Sequence, residues 1–157
     1  MLANLGVYAH LRGDDGDEAQ YDDADAYFAE SYALSRRIDV PSMIGVAALN
    51  RAQVNLRRGR VDDAAELVRE SLGCSIRSGA RVDMLFGVVI EADRRAAIGD
   101  RYGALGLLRV ATHDPAATTE LQQEIERIAA RLGLEVDAIG PRDPGDDLDA
   151  AVAGILR

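Results

Sequence analysis

The 157-residue chain contains no lysine and no tryptophan, and a single cysteine, Cys74, stands beside only two phenylalanines and two histidines. Without lysine, no phosphate loop of the G-x-x-x-x-G-K-[ST] type can form, so nucleotide hydrolysis is not expected of this segment. One cysteine cannot make an internal disulfide. Its seat in an apolar helical pattern predicts a buried structural thiol, and a reducing cytoplasm is the compartment that fits. The scarcity of aromatics, against abundant Ala, Leu, Val and Arg, argues against an all-β chain and for helices packed through small and aliphatic residues. Long apolar runs are missing too. The longest, at 84–90, is interrupted by Gly87, and the first residues lack a basic segment followed by an apolar core, so neither a membrane span nor an export signal is predicted. All 18 basic residues are arginine, a bias that suits a GC-rich bacterial coding sequence.

The length suits one domain of ordinary size. A formal charge of −9 opposes direct nucleic-acid binding, because phosphate would be repelled by the mean field of the protein. The charge is uneven. Residues 1–40 carry 3 Arg and 9 acids (−6), residues 41–80 carry 6 Arg and 4 acids (+2), and residues 81–157 carry 9 Arg and 14 acids (−5), so only the middle is basic.

What is present is a period of 40 residues. Ala24, Ala64 and Ala104 share one local setting; Phe28, Val68 and Leu108 form a large apolar column, and Ser31, Ser71 and Ala111 a small one. The second repeat shows the plan most clearly. Pro41 and Ser42 open a helix to about Arg58 with Ile44, Ala47, Ala48, Ala52 and Val54 as its apolar stripe, and Gly59 ends it where a positive φ is cheap. A partner helix starts at Asp62 with the stripe Ala64, Leu67, Val68, Ser71, Leu72 and Ile76, and closes at Gly79. Two helices separated by a few residues make an antiparallel hairpin. In the third repeat Leu85, Val88, Val89, Ala92 and Ala96 precede Gly99, and a shorter second helix carries Ala104, Leu107, Leu108 and Ala111 to about Thr112.

The first repeat departs from this register. Gly13 lies 46 residues before Gly59, which places about six extra residues within 14–21. That acidic insert lacks the ligand spacing of a calcium-binding loop and reads as solvated. Only about 12 residues precede Gly13, against about 17 in the matching helix before Gly59, so the expectation is a fragment of a longer protein or a terminus covered by a second copy. Beyond Asp114 the period stops. Thr119 and Gln122 have capping-box spacing ahead of Leu121, Ile125, Ile128 and Leu132, a helix closed by Gly133 that would cap the last hairpin. A turn-rich stretch with Gly140, Pro141, Pro144 and Gly145 leads to a short helix bearing Leu148, Val152 and Ile155, expected to dock on the capping helix or to fray.

Anchored on the glycines, Asn4-Leu5-Gly6 to Gly13, Asn50-Arg51-Ala52 to Gly59 and Glu91-Ala92 to Gly99 resemble first helices of tetratricopeptide repeats, and the alanines at 24, 64 and 104 with their neighbours resemble the second-helix signature. The likeness covers roughly residues 1–112. It departs from the standard form in its longer period, in lacking the late aromatic of the first helix, and in lacking a closing proline. The long period, the Asn-Leu-Gly segment and the phrase Ala-Glu-Ser-Tyr-Ala-Leu-Ser at 29–35 are similar to the C-terminal repeat region of bacterial, especially actinomycete, signal-transduction ATPases and transcriptional regulators. There the repeats sense or dock a partner while nucleotide- and DNA-binding modules lie elsewhere; this chain has neither module.

The resemblance implies an all-α, right-handed superhelix of three antiparallel hairpins (1–40, 41–80 and 81–114), a capping helix (115–133) and a turn-rich segment with a short last helix (134–157). No residue set suggests catalysis, a cofactor or a metal: His10 and His113 stand apart without Cys or metal-ligand spacing, and Gly103 and Gly106 are assigned to close helix packing rather than to a dinucleotide loop. The expected function is a non-catalytic scaffold for a protein or peptide, acidic in character. First helices line the concave face of such folds, which makes Asn4, Val7, His10, Asn50, Gln53, Arg57, Phe86, Val89 and Asp93 the candidate contacts. An asparagine amide can grip an extended backbone through both donor and acceptor, though Asn4 and Asn50 would serve equally to join neighbouring helices. Arg57 could hold a carboxylate in two hydrogen bonds or simply end its helix in solvent. The alternative function is a homodimer or an intramolecular clamp with no free groove.

Overall fold

The computed structural model describes residues 20–141 and 147–157. Among them the chain is all helical: α1 (Gln20–Ile38), α2 (Pro41–Arg57), α3 (Val61–Ser78), α4 (Arg81–Ala97), α5 (Arg101–Thr112), α6 (Thr119–Arg131), a 3-10 turn (Val136–Ile139) and α7 (Leu148–Leu156). The 40-residue period reappears in these bounds. Helices α2 and α4 start and end 40 residues apart, as do the starts of α3 and α5 and the ends of α1 and α3.

Local chemistry explains the boundaries. Pro41 opens α2, where a missing N–H costs nothing. Asp62 and Asp63 in the first turn of α3 and Arg77 in its last turn complement the helix dipole. Asp100 caps α5 by accepting from the Gly103 N–H at 2.9 Å, and Asp147 caps α7 through the Ala150 N–H at 2.6 Å. The cap of α6 is Thr118, whose hydroxyl accepts from the Leu121 N–H, one residue earlier than the capping-box spacing at Thr119 suggests. Between helices the chain turns at positive φ: Gly59 (72°) and Gly99 (84°) occupy one register position, Asp39 (52°) and Gly79 (66°) the other.

The helices form two layers. From α1 to α6 each helix packs on its neighbour in the chain, and α2 also lies against α4, and α4 against α6, whereas α1, α3 and α5 do not pack on one another, α1 and α3 meeting through the side chains of Tyr32, Arg36 and Glu70. The even helices thus make a continuous inner layer and the odd ones an outer layer with gaps. Ala24, Ala64 and Ala104 are fully buried, as are Val68 and Leu108, with Phe28 at 1% exposure; each large member contributes roughly 1.5–3 kcal/mol by leaving water. Ser71 and Ala111 are buried while Ser31 is half-exposed, and Ile76, expected in the apolar stripe of α3, is 50% exposed. A serine pattern also recurs in two repeats, since the hydroxyls of Ser35 and Ser75 donate within their own helices to the carbonyls of Ser31 and Ser71 at 2.8 and 2.9 Å. Cys74 is buried, and burial pushes its thiol up, which suits an inert packing role.

The end of the chain corrects one expectation. Helix α7 buries Leu148, Val152 and Ile155 against α3, α4 and α5 and makes no contact with α6, so it enters the gap in the outer layer instead of lying on the capping helix. Helix α5 has 12 residues against 18 in α3, which leaves the start of α4 uncovered on that side. The ion pair of Arg81, first in α4, with the buried Asp114 at 2.6 Å lies there, and Asp147 and Asp149 of the α7 start act on the same guanidinium. Among the described residues no helix is long and apolar enough to cross a membrane.

Glycines divide sharply by surroundings. A Cβ on Gly45 would meet Cys74 Cβ at 3.0 Å, and one on Gly87 would meet Leu72 Cδ2 at 2.6 Å, so α2 and α4 both press closely on α3. Gly106, assigned to close packing from the sequence, has nothing within 4 Å, and Gly103 abuts its own cap Asp100 and the Arg95 side chain. We therefore expect Gly106→Ala to raise unfolding free energy by about 1 kcal/mol, the helix-propensity gain. Gly87→Ala should lose that gain to overpacking of about 1–3 kcal/mol against the fully buried Leu72. Urea unfolding of the two variants checks this; equal stabilisation by both would contradict the close α3–α4 contact.

Candidate functional site

The helical period puts Asn50, Gln53 and Arg57 of α2 on one face, together with Met43 and Val46, and the 40-residue register places Phe86 and Asp93 on the matching face of α4. Both faces belong to the inner layer. Asn50, Gln53 and Phe86 are half-buried, and the two amides have no hydrogen-bond partner among the described residues. Val89 is different: at 0% exposure it belongs to the core and cannot line a groove. Asn4, Val7, His10 and residues 14–19 of the acidic insert lie outside the described residues.

Arg57 is committed within the chain. Its guanidinium donates to Asp93 Oδ2 at 2.8 Å, and the same oxygen forms an ion pair with Arg131 of α6 at 2.9 Å. The other terminal nitrogen of Arg57 stands 3.9 Å from Glu124 Oε1, beyond hydrogen-bond reach, while Glu124 Oε2 takes Arg127 at 3.0 Å. Glu124 is 4% exposed and its Oε1 is buried without a hydrogen bond. Two acids and three arginines from α2, α4 and α6 thus form one network, and three of them, Arg57, Asp93 and Arg131, line an open cleft of about 370 Å³ together with Leu56, Ala96, Ala97 and Leu132. A ligand carboxylate reaching Arg57 must compete with Asp93.

The sequence did not single out Glu124, Arg127 and Arg131. Their i, i+3, i+7 spacing, off the apolar stripe of α6, is the signal that marks one charged face. Other arginines near helix ends also have partners. Arg58 and Arg60 hold Asp25 at 2.8 Å each, Arg58 also pairs with Asp22, and Arg36 pairs with Glu70 across α1 and α3. On α4, Glu91 is 4% exposed and accepts from Arg94 at 2.7 and 2.8 Å and from Arg95 at 3.0 Å. Burial pushes its carboxyl up, but the two guanidinium partners outweigh that and hold it below the usual carboxylate range. Exposed His113 bonds through Nε2 with the Gly140 carbonyl at 2.9 Å, and Arg109 donates to the Ile139 carbonyl at 2.8 Å, so both fasten the 3-10 turn to α5. Among the described residues no group of His, Cys, Asp and Glu could hold a metal ion.

Comparison of the chain with protein-family models, curated proteins and solved structures yields no match.

Two measurements follow from the charges. In a double-mutant cycle of Arg57→Ala and Asp93→Ala, each single change should destabilise strongly and the pair should couple by about 1–3 kcal/mol; additive losses would show that the network ties nothing. For Glu91, a folded pKa below the unfolded one means stability that is present above the unfolded value of 4.5 and lost as pH falls through the folded value. Glu91→Gln should accordingly be less stable than the wild type at pH 7, with the gap closing below about pH 4.5 in acid unfolding.

Proposed function

We propose that the chain is a non-catalytic, tetratricopeptide-like scaffold, a right-handed superhelix whose inner layer docks a segment of a protein partner. The observation that carries this reading is the inner face of α2, where Asn50 and Gln53 share one helical face and have no hydrogen-bond partners among the described residues, with Met43 and Val46 on the same face and Phe86 at the matching position of α4. Unpartnered amides beside apolar side chains suit an extended backbone: the amides take its N–H and C=O groups, and the apolar groups take its side chains. The 40-residue period and the two-layer packing support the repeat fold, and its likeness to the repeats of actinomycete regulators supports a sensor or docking role within a larger cytoplasmic protein. Arg57 contributes a positive charge already balanced by Asp93, so acidic partner residues gain from it only where they displace that contact.

Peptide binding followed by fluorescence anisotropy, with extended peptides of acidic and of neutral composition, tests the docking. Asn50→Ala and Gln53→Ala should each weaken binding about tenfold, since an unpaired peptide group costs roughly 1–3 kcal/mol. Added salt should weaken only the acidic series. Binding that both variants leave unchanged removes the inner face from the account.

A second reading, self-association, is favoured by a different observation. Leu34, Ile38, Val40, Met43 and Val46 are each 38–48% exposed at the α1–α2 junction, around an apolar cleft of about 260 Å³ lined by Ser31, Ser35, Ser42, Met43, Val46 and Ala47. Sedimentation equilibrium separates the readings: a dimer that Met43→Glu dissociates supports association, and a monomer at all concentrations opposes it.

A further inference from the structure

The gap between α1 and α3 holds a second, polar cleft of about 280 Å³, lined by Tyr32, Arg51, Asn55, Arg60, Asp63, Glu66, Leu67 and Glu70. Its floor comes from α2, on the side of that helix opposite Asn50, Gln53 and Arg57, so it does not depend on the docking face. Most of its charges are settled. Glu70 takes Arg36 and the Tyr32 hydroxyl, and Arg60 takes Asp25. Four side chains remain. Arg51 lies over the Tyr32 ring, 5.3 Å from its centroid, yet makes no hydrogen bond or ion pair, and its Nε is buried without a partner. Asn55 is 4% exposed and its amide has no hydrogen-bond partner among the described residues. On the rim, Asp63 and Glu66 are exposed and take part in no ion pair.

The next repeat shows how the same place looks when it is closed. Forty residues on, Arg51 and Asn55 become Glu91 and Arg95, which bond each other at 3.0 Å, while Asp63 and Glu66 become Gly103 and Gly106. There the charges satisfy themselves; between α1 and α3 they do not. A buried polar group without a partner is costly and is retained where something completes it.

We propose that this cleft binds a carboxylate that carries a cationic group close by: a basic amino acid, free or at the C-terminal end of a peptide. The arrangement of charge sets the orientation. Arg51 can only donate, and the Asn55 amide offers donors beside it, so the floor takes the carboxylate. Asp63 and Glu66 at the mouth can only accept and take the cation. A simple anion would have to pass two carboxylates, and a simple cation would meet Arg51, so a ligand bearing both charges fits best.

The test is titration of the ¹⁵N-labelled full chain, reading the Arg51 Nε–H and Asn55 side-chain amide signals, with three probes: L-arginine, N-acetyl-Ala-Ala-Arg with a free carboxylate, and the C-terminal amide of the same peptide. At least one carboxylate probe should shift both signals saturably, and the amide should bind at least about tenfold more weakly. Saturation by L-arginine alone identifies a free amino acid; saturation by the peptide acid identifies a chain end. Arg51→Gln should abolish the shift of the Asn55 amide. Glu66→Gln, on the exposed surface of α3 where folding is not at stake, should weaken binding severalfold. No saturable shift from either carboxylate at about 10 mM, or equal binding of the amide, overturns the proposal.

Discussion

The constraint on which the structure rests is the close approach of neighbouring helices through small residues. Ala24, Ala64 and Ala104 at zero exposure, and Gly45 and Gly87 with Cys74 and Leu72 pressed against them, let α2 and α4 come near α3 and each other. A larger side chain in these columns would force the helices apart. With the even helices packed side by side, α1, α3 and α5 are left spaced apart without packing on one another, and the outer layer contains gaps. Helix α7 enters one of those gaps and the polar cleft is another. Helix packing and site formation are therefore one consequence of the same small columns.

Arginine does the second part of the work. Ion pairs add ties to this packing: α1 to α3 through Arg36 and Glu70, α1 to the turn after α2 through Asp25 with Arg58 and Arg60, and α2 to α4 and α6 through Asp93 with Arg57 and Arg131. Their weights differ. The Arg36 pair is more than half exposed on its cationic side and contributes little. The Arg57–Asp93 pair, with side chains 14% and 10% exposed, matters more through what its loss would strand than through its net gain. A guanidinium offers several donors in a rigid fork, and one such group can span two carboxylates where an ammonium would act as a point charge. Arg58 does so between Asp22 and Asp25.

Much of the helical plan was legible because it follows from local rules. Gly59, Gly79, Gly99 and Gly133 all take positive φ at the helix ends their spacing indicates, and the buried stripes of α2 and α4 follow the 3.6-residue period. What was not legible needed three-dimensional pairing. Val89 satisfied both a core stripe and a groove stripe on paper, and only the packing of α4 against its neighbours decides for the core. Asp93 read as an open polar position, yet its partners come from α2 and α6, 36 and 38 residues away along the chain. The seat of α7 depended on the truncation of α5, a tertiary effect with no local signature. Gly106 shows the converse error: a glycine inside a helix suggests close packing, and here nothing approaches it.

The register also explains why one helix can carry two chemistries. Successive positions on α2 step about 100° around the helix, so Asn50 and Arg51, adjacent in sequence, face different surroundings. On α4 the positions matching Arg51 and Asn55 hold Glu91 and Arg95, which neutralise each other and leave nothing to bind. Exchanging the sign at one column and removing the charge at the other turns a closed ion pair into a guanidinium and an amide without hydrogen-bond partners among the described residues. The backbone does not change. In a repeat built this way, a binding position arises where the charge pattern fails to repeat, and in the described residues that failure falls between α1 and α3.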